Sequence, residues 1–143
     1  MADILQDLPV AVAASVLYKL VAYPAGLDRW WTLRCTGDPT VGAPYVLDFG
    51  PEYRWSAVCI AAEPPARFGL RITEAFPAWV GTEIWFDLTP TGSGTFLRFA
   101  HVGWGEAGDH YRVSNHCWAL YLRLLRRYAE RGEEVPYARR LEA

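Results

Sequence analysis

The chain has 143 residues, which fits one domain over residues 1–143 with a sizeable buried core. Its formal net charge of −2 gives no electrostatic reason to expect nucleic acid as a partner. Hydrophobic residues make up 52% and aromatic residues 15% of the sequence, so an intrinsically disordered chain is excluded. An aromatic content this high, with seven tryptophans, favours a ligand pocket or an interface in addition to a core.

The cysteines indicate a reduced protein. Cys35, Cys59 and Cys117 are odd in number and widely spaced, with no Cys-x-x-Cys pair. The sequence has no basic start followed by a long apolar run and no uncharged apolar segment long enough to span a membrane. We therefore expect a cytoplasmic protein that contacts no membrane. Neither metal-ligand spacing nor a phosphate-binding glycine pattern occurs, so no metal and no cofactor are expected.

The amino-terminal part predicts one strand and two short helices. Residues 3–12 read as a strand, and Pro9 favours an edge position or a bulge. Residues 13–22 carry apolar side chains at helical spacing. Pro24 ends this helix and can open a second helical turn that runs to Trp31.

Five antiparallel strands are predicted next, because alternating segments are separated by glycine- and proline-rich turns. They cover residues 45–50, 53–62, 67–74, 80–89 and 94–103. The last two alternate most clearly, and their inner faces combine apolar residues with two polar ones. The inner-face residues are Thr82, Ile84, Phe86, Leu88, Leu97, Phe99 and His101.

One long helix is predicted over residues 109–131. Asp109 is a plausible N-cap residue, Gly132 a plausible helix end, and Pro136 lies just beyond. The apolar stripe of this helix is broad and requires a large partner, which only the sheet provides. The sequence therefore predicts an α+β fold in which a curved antiparallel sheet wraps around the long helix. The two short helices would close one end of a cavity between helix and sheet.

Five stretches of the chain, in order, resemble the START-like (SRPBCC) superfamily, and most closely its branch homologous to the activator of the heat-shock-protein ATPase. They are Leu27-Asp28-Arg29-Trp30-Trp31-Thr32, Pro65-Ala66-Arg67, Gly81-Thr82-Glu83-Ile84-x-Phe86-x-Leu88, Phe99-x-His101-x-Gly103-Trp104 and Trp118-Ala119-x-Tyr121-Leu122. The resemblance implies the helix-grip fold and a hydrophobic cavity suited to small apolar molecules. It implies little about chemistry, because the superfamily includes lipid carriers, hormone receptors, cyclases and co-chaperone domains.

The leading functional prediction is non-enzymatic binding of a small hydrophobic or aromatic molecule between the sheet and the long helix. Thr82, His101 and a tyrosine hydroxyl would orient the ligand. For His101 the alternatives are a ligand contact, a general base, or a structural histidine bonded to a neighbouring hydroxyl or carbonyl. The predicted ligand-binding residues are Trp31, Phe49, Leu70, Thr82, Ile84, Phe86, Phe99, His101, Trp118, Tyr121 and Leu122.

Two other functions remain open at this point. A cyclase- or hydrolase-like enzyme would use His101 as its catalytic base, but it needs a second polar group on the inner face. A stress-related or co-chaperone-like interaction module would use the outer face of strand 80–89. Trp79 and Trp85 share that face by period-two spacing, which predicts a homodimer or partner interface there.

Overall fold

Seven antiparallel strands form one curved sheet around a long carboxyl-terminal helix in the computed structural model, which describes residues 2–143. The strands are β1 (Ala2–Val10), β2 (Arg34–Thr36), β3 (Pro44–Asp48), β4 (Arg54–Glu63), β5 (Arg67–Glu74), β6 (Glu83–Thr91) and β7 (Gly94–Trp104). The helices are α1 (Ala14–Ala22), α2 (Pro24–Leu27), α3 (Asp109–Arg131) and a final 3₁₀ helix (Tyr137–Glu142). The strand order is β1-β7-β6-β5-β4-β3-β2, and the predicted helix-grip fold is confirmed.

The core lies between the inner face of the sheet and α3. In the β6–β7 pair, Phe86 stands opposite Phe99 and Leu88 opposite Leu97, and all four side chains are buried. Successive residues of a strand point to opposite faces, so the alternating sequence places its apolar set inward. The apolar stripe of α3, which includes Trp118, covers this set from the other side.

The ends of α3 agree with the prediction in position but differ in detail. Gly132 ends the helix in the left-handed conformation, and its N–H donates to the Tyr128 carbonyl. The prediction of Asp109 as the N-cap is wrong, because Gly108 occupies that position and Asp109 is the first helical residue. A carboxylate in the first turn still complements the positive end of the helix dipole.

Two short elements were not predicted. The strand β2 has three residues, too few to show an alternating pattern, and it pairs only with β3. The 3₁₀ helix follows Pro136 and packs beside α3. The edge position predicted from Pro9 is correct, since β1 is the first strand of the sheet.

The predicted outer-face position of Trp79 is wrong. Its side chain is 7% exposed and its indole N–H donates to the Ser114 hydroxyl on α3, at 3.1 Å. The strand begins only at Glu83, and turn hydrogen bonds precede it, from the Trp79 amide to the Phe76 carbonyl and from the Thr82 amide to the Trp79 carbonyl. Period-two spacing does not continue through these turns, so Trp79 points inward.

Trp85 does lie on the outer face, but other side chains of this protein cover it. The ring lies over Gly69 of β5, where a Cβ atom would stand 2.6 Å from the ring. The Arg67 guanidinium is 4.2 Å from the ring centroid, and the indole N–H donates to Glu83 at 3.2 Å. An outward tryptophan here therefore fills the space above a glycine.

Charged residues of alternating sign cross the outer face of the sheet. Successive cross-strand partners from β4 to β1 are Glu63, Arg67, Asp87, Arg98 and Asp7. Arg67 and Asp87 form an ion pair at 3.0 Å, and opposite charges across strands stabilise the pairing modestly. Among residues 2–143, no helix is both long enough and apolar enough to cross a membrane.

Candidate functional site

The middle of the space between sheet and α3 is solid core. Seven of the predicted ligand-binding residues lie there, each at most 2% exposed, and none of them lines the pocket described below. They are Leu70, Thr82, Ile84, Phe86, Phe99, His101 and Leu122.

The hydrogen bonds of His101 are all made within the protein. Trp118 donates its indole N–H to Nδ1 of His101 at 3.0 Å, and Nε2 lies 2.8 Å from the Thr82 hydroxyl oxygen. That hydroxyl donates its only proton to the Trp79 carbonyl at 2.6 Å, so it accepts from His101. The neutral tautomer with the proton on Nε2 satisfies every partner.

The surroundings of His101 keep the imidazole neutral. Its ring centroid lies 4.6 Å from that of Trp79, 4.7 Å from Trp104 and 6.0 Å from Trp118. Burial among these rings lowers the pKa of His101 from 6.5 to about 3. With both nitrogens occupied, the structural alternative for His101 is favoured over a ligand contact or a base.

An open pocket of about 360 Å³ lies at one end of the sheet, against the first half of α3. Four predicted residues, Trp31, Phe49, Trp118 and Tyr121, line it. The remaining lining residues, which the sequence did not predict, are Tyr53, Trp55, Phe76, Trp79, His110, Val113, Ser114, Cys117, Tyr137 and Leu141.

The walls of the pocket are aromatic rings packed on one another. Trp31 lies 5.0 Å from Trp118, and Trp55 lies 5.0 Å from Phe49 and 4.7 Å from Trp79, measured between ring centroids. The rings meet tilted and not face to face, and a face-to-face sandwich is the arrangement that their quadrupoles disfavour. Because each ring supports its neighbours, the apolar surface is held in place before any ligand binds.

The polar groups of the pocket are few, and most of them are hydroxyl and indole groups. Ser114 accepts from Trp79, and the Tyr137 hydroxyl donates to the Phe49 carbonyl at 2.8 Å. Burial raises the pKa of Tyr121 to about 12 and also raises the pKa of the Cys117 thiol, so both stay protonated near pH 7. The lining includes no Asp, Glu, Lys or Arg. The lining therefore offers no carboxylate, ammonium or guanidinium group to a charged ligand, and its one imidazole is that of His110.

Part of the pocket has a signal in the sequence. Phe49, Tyr53 and Trp55 flank the Gly50-Pro51 turn, so a hairpin there brings three aromatic residues to one end of the sheet. Tyr137 and Leu141 gave no such signal, because their segment shows neither periodicity nor a motif. Within residues 2–143, no three His, Cys, Asp or Glu side chains are grouped as a metal site requires.

The helix-grip architecture and an apolar pocket beside the long helix define a START-like domain. Residues 11–130 match the family described as activator of Hsp90 ATPase homolog 1-like protein, and the chain belongs to this family. No curated protein sequence matches the chain.

Solved structures agree with the family assignment. The Aha1 dimer from Colwellia psychrerythraea is 27% identical, with a TM-score of 0.85 over 93% of this chain and 99% of that chain. The protein MLL2253 from Mesorhizobium loti is 20% identical, with a TM-score of 0.80 over 92% of this chain and 99% of that one. DynU16, from the dynemicin biosynthetic locus, is 21% identical, with a TM-score of 0.79 over 92% of this chain and 48% of that one. The last two likenesses show the fold alone.

Proposed function

We propose that the protein binds a small, uncharged, hydrophobic or aromatic molecule in the pocket at the end of the sheet. The observation that carries this proposal is a pocket of about 360 Å³ with aromatic walls and no charged carboxylate, ammonium or guanidinium group. This volume lies within the range of small-molecule sites, which are mostly apolar with a few polar groups. Affinity would come from burial of apolar surface, at about 25 cal/mol per Å² before the costs of binding.

The orientation of the ligand is assigned to different groups from those that the sequence predicted. Thr82 and His101 bond each other and Trp79 within the core, so they do not face the pocket. The Tyr121 hydroxyl and the Cys117 thiol are two protonated groups of the lining that can offer a hydrogen bond to a ligand, and the Tyr53 hydroxyl and the His110 ring are two further polar groups there. A ligand with one hydroxyl or carbonyl among apolar rings fits this arrangement.

The two alternative functions have less support. A base needs a free nitrogen with a pKa near neutrality, whereas His101 has both nitrogens bonded and a pKa near 3. An interaction surface formed by Trp79 and Trp85 is not supported, because Trp79 is buried. The dimeric relative from Colwellia supports a homodimer of this chain. Of the two tryptophans predicted for its interface, only Trp85 lies on the outer face, where Arg67 and Glu83 partly cover it.

The test measures binding of an apolar dye to the wild type and to a variant in which a larger side chain fills the pocket. N-phenyl-1-naphthylamine is uncharged and fluoresces strongly when it leaves water, and we expect the wild-type protein to bind it. Cys117→Phe places a ring inside the pocket and should weaken binding at least tenfold, since the displaced volume is no longer free. The matched control is Arg123→Phe, which adds the same ring to an exposed position of α3 and should leave binding unchanged.

Equal affinities of Cys117→Phe and the wild type would place the dye elsewhere and contradict the proposal. Circular dichroism of both variants checks that the fold is kept. Absence of dye binding by the wild type would also contradict it.

A further inference from the structure

The C-terminal segment, residues 133–143, forms one wall of the pocket through Tyr137 and Leu141. It lies outside the match to the family, which ends at residue 130. The family match therefore does not include this part of the pocket wall.

Arg140 anchors this segment. Its side chain is 3% exposed, and its guanidinium donates to the Asp28 carbonyl at 2.8 Å, the Thr32 carbonyl at 3.1 Å and the Val135 carbonyl at 3.0 Å. Asp28 and Thr32 flank Trp31, whose ring is part of the pocket. One side chain thus ties the C-terminal segment to the turn that carries the opposite part of the wall.

The rest of the segment is weakly held. Arg140 is its only buried residue, Val135 and Tyr137 are half-buried, and Leu141 is 63% exposed. The other polar contacts are the hydrogen bond from Tyr137 to the Phe49 carbonyl and exposed ion pairs, of Glu134 with Arg29 and of Glu133 with Arg127 and Arg131. The remaining walls come from α3, from Trp55 of β4 and from the connecting segments that carry Trp31, Phe49, Tyr53, Phe76 and Trp79. Of these, Trp31, Trp79 and Trp118 belong to the buried core, which holds their part of the wall in place.

We propose that the C-terminal segment is the gate through which a ligand reaches and leaves the pocket, and that Arg140 is the positioning residue that keeps it closed. This inference rests on the proposed binding function. Local opening favours segments with few buried apolar contacts, and no apolar side chain of the C-terminal segment is buried. Opening at Arg140 moves Tyr137 and Leu141 away from the turn that carries Trp31, which its own hydrogen bonds and buried side chains keep in place.

The test measures how fast N-phenyl-1-naphthylamine leaves the protein. The complex is diluted into buffer in a stopped-flow instrument, and the fluorescence falls as the dye dissociates into water. Arg140→Ala removes three charge-assisted hydrogen bonds, and we expect dissociation to become about tenfold faster or more. Arg140→Lys keeps the charge but reaches fewer carbonyls at once, so its rate should lie between those of the wild type and Arg140→Ala. The matched control is Arg139→Ala, because Arg139 is the exposed neighbour and should leave the rate unchanged.

Hydrogen exchange of the free protein provides a readout that needs no dye. In Arg140→Ala, amides of residues 133–143 should exchange faster while those of β6 and β7 keep their protection. If Arg140→Ala loses protection throughout, Tyr137→Phe replaces it, since this variant removes only the bond to the Phe49 carbonyl and should speed dissociation severalfold.

The outcomes separate the two proposals. Dye binding by the wild type with equal dissociation rates in Arg140→Ala and Arg139→Ala would overturn the gate and leave the binding function in place. If Arg140→Ala is globally unfolded, Tyr137→Phe decides: a dye dissociation rate equal to that of the wild type would overturn the gate and leave the binding function in place. No dye binding by the wild type would overturn the binding function, and the gate with it.

Discussion

At His101, one tautomer satisfies groups from separate parts of the chain. Trp79 lies in the turn that precedes β6, and Thr82 is the residue directly before this strand, whereas Trp118 comes from α3. The position of His101 on the inner face followed from the alternation of β7. Its role did not, because its partners are set by how α3 and the turn before β6 meet around it.

The pH dependence of stability should report on His101. Its folded pKa of about 3 lies below its unfolded value of 6.5, so between these values the unfolded state binds more protons. The stabilising contribution is complete above about pH 6.5 and is lost as the pH falls towards 3. The free energy of unfolding should therefore decrease by up to about 1.4 kcal/mol per pH unit from this residue alone.

The measurement is urea denaturation at several pH values from 7 to 4, for the wild type and His101→Gln. Glutamine offers a donor and an acceptor but does not titrate in this range, so the variant should lose less stability on acidification. Carboxylates act alike in both proteins and cancel in the comparison. Identical slopes would show that His101 does not remain neutral in the folded protein.

At the level of elements, α1 and α2 meet too closely for any side chain at Gly26. A Cβ atom there would collide with the Lys19 carbonyl oxygen and stand 2.6 Å from the Leu20 Cα atom. These are backbone atoms within a helix, so they cannot move aside as a flexible side chain would. The two short helices can pack at this angle only because residue 26 is glycine.

Gly26→Ala should lower the free energy of unfolding by about 1–3 kcal/mol, the usual cost of overpacking. Chemical denaturation measures it. Gly105→Ala is the control, because a Cβ atom at Gly105 meets nothing within 4 Å and should change stability little. A loss as small in Gly26→Ala as in the control would mean that the helices separate freely.

The sequence predicted elements well where period and length were sufficient. The alternation of β6 and β7 and the stripe of α3 identified most of the core, and the turn signals located five strands. Trp79 was misplaced because its turn precedes the strand whose period was extended to it. The pocket was only partly predicted, since Tyr137 and Leu141 reach it through Arg140, and a tertiary anchor of that kind leaves no periodic pattern.

At the scale of the molecule, ligand binding should raise thermal stability. A ligand that binds only the folded state at tenfold above its Kd adds about 1.4 kcal/mol, which raises Tm by about 4 °C for a chain of this size. We expect this increase with N-phenyl-1-naphthylamine for the wild type, by differential scanning fluorimetry with intrinsic tryptophan emission, and none for Cys117→Phe. An equal increase in both proteins would locate the stabilising contact outside the pocket.

The separation of the solid core from the pocket has a consequence for how ligand preference can change. Substitutions among Tyr53, Val113 and Leu141 at the exposed rim reshape the site without opening cavities beside Phe86 or Phe99, and surface changes of this kind usually cost little stability. In the C-terminal segment only Arg140 is buried. Under the proposed binding function, exchanging this segment for another sequence that keeps this arginine would change the ligand preference without redesigning the sheet.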